Sequence, residues 1–190
     1  PGNIILFNEF KNTSKTIKHN LDVLEDGQGG LLDIFFENNY VYVTYSEHTT
    51  NGFTSTSLAK AKFNENELLF SNLFRSTPSI KSGYHFGSRI VIKGDDIYIS
   101  SGERGAGIIA QDPSKHPGSI IRIKTDGSIP KDNPKFLDKT DWLPEIYQIG
   151  IRNVQGMCLS NYDNNVYMTN HGARGGDWFG KVNKGGNYGW

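Results

Sequence analysis

The side chains best suited to chemistry gather in four glycine-rich stretches: Asp26-Gly27-Gln28-Gly29-Gly30, Tyr84-His85-Phe86-Gly87, Gly150-Ile151-Arg152-Asn153-Val154-Gln155-Gly156 and His171-Gly172-Ala173-Arg174-Gly175-Gly176-Asp177. Histidine titrates near neutrality and suits proton transfer, and arginine suits the holding of negative charge. Taken singly, each stretch has a plainer reading. His85 sits among aromatic residues as packed histidines do, Arg152-Asn153 reads as a turn with a surface charge, and the run around Gly172 reads as a loop. Several other chemistries lack their motifs. The chain has no Gly-Lys-Ser/Thr phosphate loop, no His-Glu-x-x-His, no Gly-x-Ser-x-Gly elbow and no EF-hand loop, which removes the usual support for nucleotide, zinc-protease, α/β-hydrolase and calcium-sensor functions.

The elements that must position these stretches are strands. Val41-Tyr42-Val43-Thr44-Tyr45, Ile97-Tyr98-Ile99-Ser100 and Val166-Tyr167-Met168-Thr169 alternate β-branched and aromatic residues, the pattern of a half-buried strand. No segment of helical length shows convincing i, i+3, i+4 spacing; Leu68 to Phe74 comes nearest and reads as strand and loop. Each of the three strands follows an apolar strand (Leu31 to Phe36, Ser88 to Ile92, Gln155 to Leu159) and a turn rich in Asn, Asp or Gly, residues that tolerate the positive φ of tight hairpins. Further hairpins are expected at Asn64-Glu65-Asn66, after Leu58 to Phe63, and at Asp126-Gly127, after Ser119 to Lys124. Tyr42, Tyr98 and Tyr167 mark the register of a repeat, 56 and then 69 residues apart. Self-similar four-stranded units with insertions are the signature of β-propeller blades, and a sandwich would lack the repeated block. Gln28, His85 and Arg152 each precede the first strand of a repeat, so they project from equivalent loops. Equivalent loops of a propeller converge near its axis, and that predicts one shared site.

Composition narrows the class. Twenty Lys and Arg balance twenty Asp and Glu, which argues against a nucleic-acid footprint, since that needs a basic face. A single cysteine excludes an internal disulfide and a Cys-x-x-Cys knuckle, and Cys158, on an apolar strand, is expected to be buried. No apolar run approaches the roughly 18 residues of a membrane span. No charged-then-apolar leader opens the sequence, so a signal peptide is expected to have been removed or left out. Ile4 to Phe10 and Thr16 to Val23 read as the last strands of a blade, and the block after His171 stops where another hairpin is due. Residues 1–190 are therefore expected to form one partial propeller domain of about three to four blades, cut at both ends. Its open blade edges invite association with a second copy.

A set of motifs, in order, resembles the soluble dehydrogenases of glucose and other aldoses that depend on pyrroloquinoline quinone (PQQ), the glucose/sorbosone dehydrogenase family. These motifs are Asp26 to Leu32, His85-Phe86-Gly87-Ser88-Arg89, Ala110-Gln111-Asp112-Pro113, Gly118 to Ile123, Ile151 to Gly156 and Gly186-Asn187-Tyr188-Gly189-Trp190. The likeness runs from about Gly2 to Trp190. It implies an all-β, six-bladed propeller of four-stranded antiparallel blades, here incomplete. It also implies export to the periplasm or beyond, and oxidation of an aldose at the anomeric carbon to its lactone, with electrons passed to an unidentified acceptor.

By the same resemblance His85 is the general base and Glu103 the carboxylate that orients it, in a place where the family usually has Asp. Arg152 and Asn153 bind the quinone carbonyls, and Gln28 lies near the sugar. His171, where some members carry Gln, lies beside the cofactor. Backbone carbonyls of Gly172 and Ala173 hold the catalytic Ca²⁺. PQQ carries three carboxylates, so Arg152 and Arg174 are expected to clamp it. Hydride addition to a quinone builds negative charge on oxygen, which a hard cation and a guanidinium both stabilise. The family commonly has Glu after Asp177, where this chain has Trp178, and the change removes a carboxylate from a second, structural calcium site. Two other readings compete: a propeller that serves only as a binding surface, and a metal-dependent lactonase-type propeller drawing on Asp26, Glu103, Asp112 and Asp177. The first gives no reason for His85, Arg152 and Asn153 to recur at equivalent loops.

Overall fold

The computed structural model describes residues 2–135 and 141–190. Strands β1 (Ile4–Asn8) and β2 (Thr13–His19) form an antiparallel hairpin. Then β3 (Leu31–Glu37), β4 (Tyr40–His48) and β5 (Thr54–Lys62) run antiparallel. The two-residue β6 (Glu67–Leu68) leaves them to pair in parallel with β2, and β7 (Ser71–Arg75) returns to complete a four-stranded sheet in the order β3-β4-β5-β7. Next come β8 (Gly87–Lys93), β9 (Asp96–Ser101), a short 3₁₀ turn (Gly107–Gln111), β10 (Ser119–Lys124) and β11 (Ile146–Ile149), whose strands form a second such sheet. Strands β12 (Val154–Leu159), β13 (Val166–Asn170) and β14 (Trp178–Lys181) make the last sheet.

Alternation explains how the sheets pack. In β9, Ile97 and Ile99 face the sheet before, where they join Tyr42, Leu58 and Phe74, while Tyr98 faces the sheet after, with Val154, Val166 and Met168. The β1–β2 hairpin packs through Ile4 and Ile17 against Val41, Val43 and Tyr45 of β4. Three apolar interfaces thus join four successive sheets, as blades join in a propeller. Tyr42 and Tyr98 are equivalent: each faces the following blade. Ile99 is fully buried in its interface. Ile99→Ala is expected to destabilise the fold by about 2–5 kcal/mol, from lost burial plus the cavity left behind. Denaturant unfolding checks this; an unchanged midpoint would remove Ile99 from the core.

The inner strands β3, β8 and β12 lie side by side. Each has a register irregularity in its first residues, between Leu31 and Asp33, Gly87 and Ile90, and Val154 and Gly156. Bulges of this kind bend a strand and re-aim the side chains beside it. All three fall just after the loops that carry Gln28, His85 and Arg152. Polar groups tie neighbouring sheets together here: Asp33 Oδ2 accepts the Ile90 N–H at 2.9 Å, and Ser100 Oγ of β9 donates to the Val154 carbonyl at 3.2 Å.

Three details depart from the sequence reading. The turn at Asn64–Asn66 leads to β6, and hence to the neighbouring sheet, before β7 returns. The turn at Asp126-Gly127 forms, with Lys124 N–H on the Ser128 carbonyl at 2.7 Å, but the partner strand β11 begins only at Ile146. Cys158 is exposed, contrary to expectation. Its neighbours Met157 and Leu159 pack on the last interface, and β12 alternation turns Cys158 to the opposite face.

Candidate active site

The loops before β3, β8 and β12 meet at His85. Gln28 Oε1 accepts the His85 backbone N–H at 2.8 Å. From the third loop, Arg152 Nη2 lies 3.1 Å from His85 Nε2. From the end of β9, Glu103 Oε1 bonds His85 Nδ1. Glu103 is 2 % exposed and His85 is mostly buried. The extra methylene of Glu103 relative to Asp leaves this bond intact, and the backbone shows why. A Cβ on Gly102 would stand 2.0 Å from the His85 carbonyl oxygen, so the missing side chain at Gly102 lets the Glu103 segment press against the His85 main chain.

The contacts define the state of the imidazole. A guanidinium carries donors only, so Nε2 beside Arg152 presents its lone pair. The proton of a neutral ring then sits on Nδ1 and is donated to Glu103. Nδ1 is thus the nitrogen that donates, to Glu103, and Nε2 the one that accepts, from Arg152.

The third and fourth loops are joined to each other. Asn170 Oδ1, at the end of β13, accepts the backbone N–H groups of Arg152 at 3.1 Å and Asn153 at 2.9 Å. Arg152 Nη1 reaches the His171 carbonyl at 3.3 Å, and the Trp190 ring lies 5.4 Å from the guanidinium carbon. Among the described residues, Arg152 contacts no carboxylate. Asn153 is buried, with Oδ1 accepting the Gly87 N–H at 3.0 Å, so it braces the His85 loop from the neighbouring blade.

His171 is half-exposed and sits between Asp177 Oδ2, 3.2 Å from Nδ1, and Gln155 Oε1, 3.1 Å from Nε2. Asp177 Oδ1 also accepts the Gly172 N–H at 3.0 Å. A Cβ on Gly172 would stand 2.0 Å from the Gly176 carbonyl oxygen, so the loop doubles back tightly, and Gly176 N–H meets the Ala173 carbonyl at 3.3 Å. Arg174 is exposed on this loop at φ 54°. Gln155, Asn170, His171, Asp177 and Trp178 line an open recess of about 570 Å³. Trp178 stacks on Tyr188 with centroids 4.6 Å apart, so the residue in place of the family's glutamate packs against the terminal motif.

Of the site residues expected from sequence, Gln28, His85, Glu103 and Arg152 form one connected group. Asn153 and the His171 loop adjoin it through Gly87 and through Arg152. No role was foreseen for Asn170, Gln155, Trp190 or Arg104. Asn170 stands directly before His171 at a strand end, a readable signal; the partners of Arg104 are far away in sequence. Burial pushes the Arg104 pKa down to about 10, against the pull of Asp26 and Glu103.

Four successive sheets joined by apolar interfaces, with a carboxylate–histidine pair and an arginine on the loops between them, have the architecture of adjoining β-propeller blades. The Glucose / Sorbosone dehydrogenase family description matches residues 1–190, and the chain belongs to that family. It is 36% identical over 178 residues to aldose sugar dehydrogenase YliI of Escherichia coli, covering 89% of this chain and 48% of that protein. It is 27% identical to quinoprotein glucose dehydrogenase B of Acinetobacter calcoaceticus, covering 100% of this chain and 46% of that protein. Among solved structures, the apo form of the soluble E. coli aldose sugar dehydrogenase superposes with a TM-score of 0.93 at 33% identity, covering 100% of this chain and 57% of that one. The fold also matches the PQQ-bound aldose sugar dehydrogenase of Streptomyces coelicolor, with a TM-score of 0.84 at 24% identity over 100% of this chain and 56% of that one. The chain spans about half the length of the curated relatives it matches. Its four sheets match part of the fold of those relatives.

Proposed function

We propose that the protein oxidises an aldose at its anomeric carbon to the lactone, with PQQ as oxidant and His85 as general base. The observation that carries this reading is the His85 imidazole, fixed by Glu103 at Nδ1 with its Nε2 beside the Arg152 guanidinium. PQQ, when bound, would supply the two-electron oxidant for the anomeric carbon, and Ca²⁺ would stabilise the negative charge that develops on its oxygen. His85 Nε2 takes the proton of the anomeric hydroxyl as that C–H bond breaks, and Glu103 stabilises the resulting imidazolium. Gln28 fixes the main chain of His85 and stands beside the sugar.

The residues present fit an anionic quinone. Arg152 is a half-buried cation with no carboxylate partner among the described residues, and Arg174 is a second cation on the adjoining loop. Asn153 and His171 complete the cofactor side in this reading. A calcium ion would be held by the carbonyls of Gly172 and Ala173 on the tight Gly172–Gly176 loop, of which the Ala173 carbonyl also accepts the Gly176 N–H at 3.3 Å. Ca²⁺ takes six to eight oxygens, so the remainder would come from the quinone and water. Among the described residues no three His, Cys, Asp or Glu side chains gather as a metal site, so the lactonase-type reading finds no ligand cluster in the structure.

Export to the periplasm or beyond, and an acceptor that reoxidises the quinone, belong to the same proposal. So does pairing of two copies through open edges such as β1 and β14. No helix among the described residues is long and apolar enough to cross a membrane.

Arg152→Met tests the cofactor assignment. Losing one charge-assisted partner worth about 1.5–3 kcal/mol weakens PQQ binding by about 10- to 100-fold. Titration of the quinone absorbance in the presence of calcium reads this change. Unchanged affinity would take Arg152 out of the cofactor site.

A further inference from the structure

Arg104 is buried, yet no carboxylate bonds its guanidinium among the described residues. Its bonds go to neutral oxygens. Nε donates to the Tyr84 carbonyl at 3.0 Å, Nη1 to the Thr54 carbonyl at 3.2 Å, and Nη2 to both Thr54 Oγ1 at 2.7 Å and the Ser82 carbonyl. The guanidinium carbon lies 3.6 Å from the centroid of the Phe86 ring. A charge held in this way is expensive unless its geometry serves something.

The contacts single out one residue. Ser82, Tyr84 and Phe86 stand before and after His85, whose backbone takes the left-handed φ of 49°, a region that few non-glycine residues occupy and that His, Asn and Asp enter more often than the rest. The Arg104 backbone N–H also meets the His85 carbonyl, at 3.3 Å. Consecutive residues thus seat one histidine from two sides: Glu103 fixes its ring, and Arg104 fixes its main chain. Thr54 belongs to the preceding blade, so the same guanidinium also locks the two blades at this loop.

We propose that Arg104 is a positioning residue for His85, a staple that holds the Ser82–Phe86 turn so that Nε2 faces Arg152. The inference rests on the reading of His85 as the base, and it goes further by assigning the control of that base to a residue that touches neither sugar nor cofactor. Arginine is required because its planar fork meets four acceptors at once; a lysine ammonium is a single point with three donors.

The test is Arg104→Lys in the full-length protein, read by ¹⁵N NMR of the His85 ring and by kinetics with PQQ, calcium and an aldose. In the wild type the ring proton is expected on Nδ1. In Arg104→Lys the spectrum is expected to show a mixture of tautomers. The kcat is expected to fall about 10- to 100-fold, as misplacement near 1 Å does, with the aldose KM within about twofold and the acid limb of the pH profile displaced. An unchanged His85 spectrum and pH profile would overturn the proposal. Should Arg104→Lys fail to fold, Thr54→Val removes one acceptor and keeps three; the same spectral change in smaller degree supports the staple, and none overturns it. His85→Gln separates the two levels. If that variant keeps full activity, the base assignment falls, while the NMR result still decides whether Arg104 positions the ring.

Discussion

His85→Gln is expected to lower kcat for aldose oxidation by about a thousandfold while leaving PQQ affinity within a few-fold. Positioned bases contribute about 10²- to 10⁴-fold, and in the proposed site Arg152, Gln28 and Glu103 are not suited to replace one. Arg152 carries donors only, Gln28 is an amide, and Glu103 lies behind the imidazole with its Oε1 engaged. Glutamine keeps about the same volume and a polar end, so the loop retains its shape. Steady-state rates and quinone titration on the same preparation separate the two effects. A variant with near-normal kcat would assign the proton transfer to another group.

Glu103→Gln is expected to be nearly as damaging, through the tautomer. Glutamine's amide nitrogen donates, so a Gln side chain turned that way stabilises the ring with its proton on Nε2. That nitrogen then has no lone pair for the substrate. Loss of the corresponding carboxylate partner in histidine-based catalysis can reach about 10⁴-fold through the wrong tautomer. For Glu103→Gln a drop of about 10²- to 10⁴-fold in kcat is expected, with aldose KM little changed. Glu103→Asp should keep much of the activity if the shorter side chain still reaches Nδ1. Comparing the two variants distinguishes the charge and hydrogen bond from the length of the side chain. Equal, mild effects of both would contradict an orienting role.

The repeat was legible because period-two alternation and Asn/Asp/Gly turns are local signals. Tyr42 and Tyr98 could be placed in equivalent positions from spacing alone, and the convergence of Gln28, His85 and Arg152 followed from the same register. The bulges that aim these loops were not legible, because they arise from pairing between strands. The reach of Glu103 to His85 depended on Gly102, whose role as a close-contact position appears only when the His85 carbonyl is seen against it. Arg104 was hidden for a similar reason: its acceptors on Thr54 and Ser82 lie 50 and 22 residues away. Cys158 was misplaced because an apolar run does not say which alternate residues face the core.

The central claim is that His85, in its Nδ1–H form, takes the sugar's proton as the hydride leaves. Its most direct test is a single turnover: PQQ- and calcium-loaded full-length protein mixed anaerobically with an aldose, following loss of the oxidised quinone absorbance. Wild-type protein should reduce the quinone at a rate that rises with pH, as a base that must be unprotonated requires, and His85→Gln should show a rate about a thousandfold lower with no such rise. Equal rates in the two proteins, or the same pH dependence in both, would contradict the claim.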